Sequence, residues 1–258
     1  MIANTLLLLY NDKVFLLMNI VDSLKNKAKQ YKYIVIGELH GVQENVLVLE
    51  DLLKEGIVKV DCHATFAFEW SLTKKENIVL NDYLSGKIQW SDKRFEKIIN
   101  KLYQEQSGVF SDQHLLFIKK VKSINLKKHR KIIKIIGFSH HSDDWNRRDQ
   151  LMAKSVMEMS EDTDTVFVLT GNLHARRYSF SFGENQDTLV PLAFHLPVEQ
   201  TFSVKISYKK GRFYNFGLKD INESKDDSSE KFYDTLFCLE KATPITLSLK
   251  DFPLKRFE

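Results

Sequence analysis

Glu38 and His40 stand two residues apart, directly after Ile34, Val35, Ile36 and Gly37. A carboxylate beside an imidazole fixes the ring's tautomer and strengthens it as a base, which suits general-base activation of water. Ionisable groups recur in the same kind of place. Glu69 follows the apolar run 65–68, His140 and His141 follow a run ending at Gly137, and His174 follows the run 165–170 within TGNLHARR. Four of the eight histidines thus follow apolar runs of strand length. The same donors could instead hold a divalent metal; Glu38, His40, Glu69 and His174 would be the ligands.

For such groups to act together, the elements before them must end at one edge. The chain alternates in the required way. Strands are expected at 33–37, 65–68, 131–136 and 165–170, and helices at 14–30, 42–55, 74–84, 92–104, 112–124 and 145–159. Helical spacing of Val46, Leu49, Leu52 and Leu53, closed by Gly56, carries the second helix. This β-α-β-α order predicts an α/β fold, a three-layer α/β/α sandwich around a mainly parallel sheet. In such a sheet all the strands' carboxyl ends share an edge, where open α/β sheets place ligands. Residues i and i+2 of an extended segment point the same way, so Glu38 and His40 both face that edge while Leu39 turns inward.

After residue 185 the pattern becomes β-rich. Strands are expected at 201–208, 212–216 and 234–239, with a hairpin turn at Lys209-Lys210-Gly211 and a polar loop at 222–230. Without a repeat or a Pro/Gly-rich linker, residues 1–258 read as a single domain, with the motifs inside about 30–180 and a β-rich part over 186–258.

Composition excludes several classes. A net charge of +4, with no basic stripe interleaved with aromatics, argues against nucleic acid. The basic stretch 119–134 reads as a solvated helix face and loop. Two cysteines, Cys62 and Cys238, without a CxxC, exclude a disulfide framework or zinc ribbon. The apolar runs 6–10 and 14–18 are split by Asn11, Asp12 and Lys13. Neither approaches the ~20 residues of a membrane span, so a cytoplasmic protein is expected. No Gly-x-Ser-x-Gly elbow, P-loop or dinucleotide fingerprint is present, which argues against a serine-hydrolase mechanism.

Four segments in order, IGELHGVQEN, FAFEWS, RRDQLMA and LTGNLHAR, resemble the erythromycin-esterase/ChaN-like superfamily, which includes the TIKI/TraB proteins. Gly37-Glu38-x-His40 is similar to the ChaN-type form. Arg148-Asp149-x-x-Met152-Ala153 and Gly171-Asn172-x-His174-Ala175 are closer to the esterase branch. The resemblance implies a three-layer α/β/α sandwich and a hydrolase that attacks an ester, lactone or amide of a small molecule or peptide. It implies His40 as base, Glu38 and Glu69 as its orienting carboxylates, and His174 and Arg148 as oxyanion stabilisers. His140, Asp149, Asn172 and Trp70 are the candidate substrate-binding residues, with rim or core packing as the competing reading of Trp70. No cofactor is required on this reading. The ChaN branch implies haem binding as an alternative, and the TIKI branch a metal-dependent peptidase. As a metal-free base, His40 predicts activity rising through the ordinary histidine range.

Overall fold

The computed structural model describes residues 17–57, 63–105, 107–127, 133–183, 186–221 and 231–247. The expected strand start at 131–132, the loop at 222–230 and Cys62 lie outside them, as does most of the N-terminal pair of apolar runs. Strand β1 (Tyr33–Glu38) is buried along its whole length. Its alternate residues enter different cores: Ile34 and Ile36 one, Tyr33 and Val35 the other. A strand buried on both faces must be apolar throughout, which explains its unbroken run.

The chain continues through α1 (17–27, preceding β1), α2 (Gln43–Leu52), β2 (Ala64–Phe68), α3 (Lys74–Leu84), α4 (Lys93–Gln104) and α5 (Asp112–Lys127). It then forms β3 (Lys134–Gly137), α6 (Trp145–Met159), β4 (Thr165–Gly171) and the short α7 (Leu192–His195). The strands β1 to β4 are parallel in the order β3-β2-β4-β1, and β5 (Thr201–Tyr214) adds in parallel beside β1. Helices α1 to α5 pack on the Ile34/Phe167 face, while α6 and α7 cover the Val35/Val168 face. This is the α/β/α sandwich with a mainly parallel sheet that the element order predicts.

Local chemistry marks the helix starts. Thr73 and Glu76 form a reciprocal capping box on α3. Asp144 caps α6 by accepting from the Arg147 N–H at 3.1 Å, which sets the entry of the helix that carries Arg148 and Asp149.

The expected hairpin at 209–211 is overturned. Strand β5 runs straight through it and pairs in parallel with β7 (Thr235–Ala242), including Lys210 with Lys241 and Gly211 with Ala242. Gly211 has φ 119°, and a Cβ there would lie 2.3 Å from the Ala242 carbonyl oxygen. The glycine serves a close strand approach rather than a turn, and sequence alone does not separate the two. The turn comes later, at Phe216 and Gly217 (φ 50° and 143°), and leads into the antiparallel β6 (Leu218–Asp220). Among the described residues no helix is long and apolar enough to cross a membrane.

Candidate functional site

The carboxyl ends of β1, β2 and β4 lie side by side, and each delivers part of one cluster. From β2, Glu69 reaches toward β4, where its Oε2 accepts from Thr170 Oγ1 at 2.7 Å and from the Gly171 N–H at 2.9 Å. Two imidazoles flank it. His40 Nε2 lies 3.6 Å from Glu69 Oε2, and His174 Nε2 lies 3.6 Å from Glu69 Oε1. Each ring is held from behind by a second carboxylate. Glu38 Oε1 is 2.9 Å from His40 Nδ1, and Asp149 Oδ2 is 2.8 Å from His174 Nδ1. The arrangement is two carboxylate–histidine pairs facing each other across a shared glutamate.

Space at the centre is set by Gly171. A Cβ there would fall 2.9 Å from His40 Nε2 and 3.5 Å from His174 Cδ2. It would crowd His40 and rest in ordinary contact with His174. Arg148 completes the group, with Nη2 3.3 Å from His174 Nε2. The first turn of α6 thus sends two consecutive residues to different places. Arg148 remains partly exposed beside the rings, whereas Asp149 is fully buried beneath His174 and also accepts from the Leu192 N–H at 2.7 Å.

The electrostatics follow from this packing. Burial alone would raise Glu69, but the two histidines and the Gly171 and Thr170 donors outweigh it and pull the carboxyl down to about 2. Burial would lower His40, but hydrogen bonding to Glu38 and the charge of Glu69 outweigh it and push the imidazole up to about 9. Glu38 is raised, chiefly by burial, against the opposing pull of His40. At neutral pH His40 therefore carries its proton. The two carboxylates thus hold the imidazole above the ordinary histidine range assumed from sequence.

The loop after His40 is tied down by distant chain. Asn45 donates to the Leu39 carbonyl at 3.0 Å and accepts from Tyr208 Oη at 2.5 Å. The Gly41 carbonyl accepts from the Tyr214 and Ile245 N–H groups, and the Gly41 N–H donates to the Gly108 carbonyl.

Three sequence-expected residues take other roles. Trp70 is fully buried, stacked on Phe68 at 4.3 Å with its indole N–H on the Val109 carbonyl at 2.7 Å. It follows Glu69 and so points to the opposite side of the extended chain, into the core. His140 turns to Ser155 Oγ of α6, 2.7 Å from its Nε2, rather than joining the cluster. Asn172 is a backbone strut: its N–H donates to the Glu38 carbonyl at 3.0 Å and its carbonyl accepts from Tyr233 Oη at 2.7 Å.

Two site residues escaped the sequence reading. Trp145 stacks on His174 with ring centroids 4.6 Å apart and planes 11° apart; its place three residues before Arg148 on one helix was the available signal. His114 is buried against Phe68, Trp70 and Phe110, with Nδ1 2.9 Å from Ser111 Oγ and Nε2 without a hydrogen-bond partner. Burial, and then the charge of His40, hold it down to about 3, so it stays neutral.

Among the described residues no group of three or more His, Cys, Asp or Glu is arranged to hold a metal ion. The guanidinium of Arg148 stands beside His174 Nε2, on the nitrogen a cation would need. A haem axial ligand needs an uncommitted donor, whereas both nitrogens of His40 and of His174 already face partners. A cavity of about 620 Å³ lined by Tyr83, Trp90, Lys119 and Lys122 contains none of the cluster residues.

No family model matches the chain, and no curated protein sequence matches it. Solved structures do. A succinoglycan biosynthesis protein superposes with TM-score 0.64 at 11% identity, over 89% of this chain and 98% of its own. A Bacillus cereus protein gives 0.62 at 12% identity, over 87% and 92%. A mutant of the erythromycin esterase EreC in its open conformation gives 0.60 at 10% identity, over 88% and 94%. The chain shares its fold with an erythromycin esterase. The resemblance read from the four sequence motifs is matched at the level of fold.

Proposed function

We propose that the protein is a hydrolase that delivers activated water to an ester, lactone or amide at the carboxyl edge of the sheet. The observation that carries this reading is the pair of carboxylate–histidine units facing each other across Glu69. In the base form, His40 takes a proton from water on Nε2, with Glu38 holding Nδ1 so that the lone pair stays on the nitrogen that faces Glu69 at 3.6 Å. The water oxygen adds to the carbonyl carbon. The resulting oxyanion meets the guanidinium of Arg148 and the edge of His174, which Asp149 keeps in place. The tetrahedral species then collapses, the carbon–oxygen or carbon–nitrogen bond breaks, and the proton on His40 passes to the leaving group. Acid and alcohol, or acid and amine, result. Glu69 stays ionised and stabilises His40 as it gains charge.

The test is turnover on a panel of activated esters, lactones and amides. His40→Ala is expected to lower turnover roughly 10²-fold or more, the usual scale for a general base. An inactive panel combined with a saturable one-to-one Soret shift on haem titration would replace the hydrolase with a haem carrier. Activity lost on dialysis against a chelator and restored by Mn²⁺ or Zn²⁺ would replace the free base with a metal.

A further inference from the structure

The first turn of α6 carries two N–H donors that the protein leaves unused. Trp145 Nε1 and Arg148 Nε are both buried atoms without a hydrogen-bond partner. Arg148 Nε is 3.8 Å from Asp149 Oδ1, beyond hydrogen-bond reach. The two side chains are neighbours at i and i+3, with the guanidinium carbon 4.5 Å from the indole ring. Both also touch the same site residue: the indole stacks on His174, and Arg148 Nη2 is 3.3 Å from His174 Nε2. A buried donor left without an acceptor is costly, and folded proteins rarely keep one without a use. Two together, one of them charged, call for an acceptor that brings negative charge.

We propose that Trp145 and Arg148 form a two-donor seat for an oxyanion beside His174, so that the protein takes ligands bearing a carboxylate or phosphate group. The seat contributes geometry as well as charge. The guanidinium supplies the charge-assisted bond, and the rigid indole, stacked on the imidazole, limits where the oxygen sits. Asp149 reinforces it indirectly, since it holds the ring on which the indole lies. The stack places the bound group next to the reacting edge, which favours substrates whose acidic group is close to the bond to be cut. That last step rests on the hydrolase reading; the seat itself does not.

Indole N–H resonances test the seat directly. The chain has three tryptophans, and Trp70 Nε1 is already bonded to the Val109 carbonyl, which makes it an internal control. Titration with inorganic phosphate, with acetate and with chloride in parallel is expected to move the Trp145 N–H resonance saturably for the first two and not for chloride. Phosphate and acetate separate the two ligand sources. Trp145→Phe keeps the stack and removes the donor, and is expected to weaken the better oxyanion about tenfold or more. Arg148→Lys keeps the charge without the Nε donor and is expected to weaken it as well. A Trp145 resonance unmoved by either oxyanion, or a Trp145→Phe protein that binds as wild type, would overturn the proposal. Wild-type titration needs no variant to fold, and none of these readouts requires turnover. Oxyanion binding without hydrolysis would retire the hydrolase and leave the seat standing.

Discussion

His40 and His174 are chemically the same side chain held by the same kind of partner, yet their surroundings differ. His174 is locked. Its side chain is 8% exposed, both oxygens of a fully buried Asp149 face its Nδ1, and Trp145 lies flat against it. His40 is 21% exposed, and hydrogen bonding to Glu38 and the charge of Glu69 push its imidazole up to about 9. The contrast separates two tasks. On the proposed reading, a ring that only positions is buried under its neighbours, whereas the ring that exchanges a proton keeps solvent access.

The largest expected effect breaks the locked side. Asp149→Ala removes one partner of a buried pair and leaves the Leu192 N–H without its acceptor, which is expected to cost about 3–5 kcal/mol in urea unfolding. His40→Ala, compared above pH 9 where its ring has already lost the proton, should cost far less. Equal losses for the two variants would erase the distinction.

An intermediate effect sharpens it. The Cβ of Gly171→Ala would press on the movable end of His40, 2.9 Å away, before it reaches His174. Overpacking of this kind costs about 1 kcal/mol where a side chain can yield. The expected outcome is a nearly unchanged urea midpoint with turnover lost, because His40 swings away. A large loss of stability would mean that both rings are equally fixed.

The remaining effect is in pH. The folded protein holds the His40 proton up to about 9, above the ordinary value of 6.5, so this stabilisation is complete below 6.5 and is lost as pH rises through about 9. Glu69 works in the opposite direction: its stabilisation is present above its ordinary 4.5 and is lost as pH falls through about 2. Urea midpoints measured across this range should decline on the alkaline side in wild type and stay flat there in His40→Ala. Turnover should rise toward pH 9 over the same window. A turnover inflection near 6.5 would mean that the flanking carboxylates do not control the ring.

Much of the site was legible because parallel strands translate sequence order into position. An apolar run followed at once by Glu38, Glu69 or His174 can only place those groups at the common edge. Directions after the strand ends were harder to read. Arg148 and Asp149 are adjacent in one motif, but a helix turns successive residues about 100° apart, so one borders the rings and the other lies beneath them. Trp70 followed the strand alternation into the core, and His140 found Ser155 on the next helix, α6. His114 gave no periodic signal, since a buried histidine and an apolar residue occupy a helix face equally well. Gly211 misled because glycine suits a turn and a tight strand approach alike.

The backbone ties at Gly41 have a temporal consequence. A chain made from its amino end presents Glu38 and His40 early, but the carbonyl after His40 is claimed by the N–H groups of Tyr214 and Ile245, near the far end. The loop that carries the imidazole therefore gains its full set of native hydrogen bonds only after residues 214 and 245 have been made, so this part of the fold is completed late in synthesis.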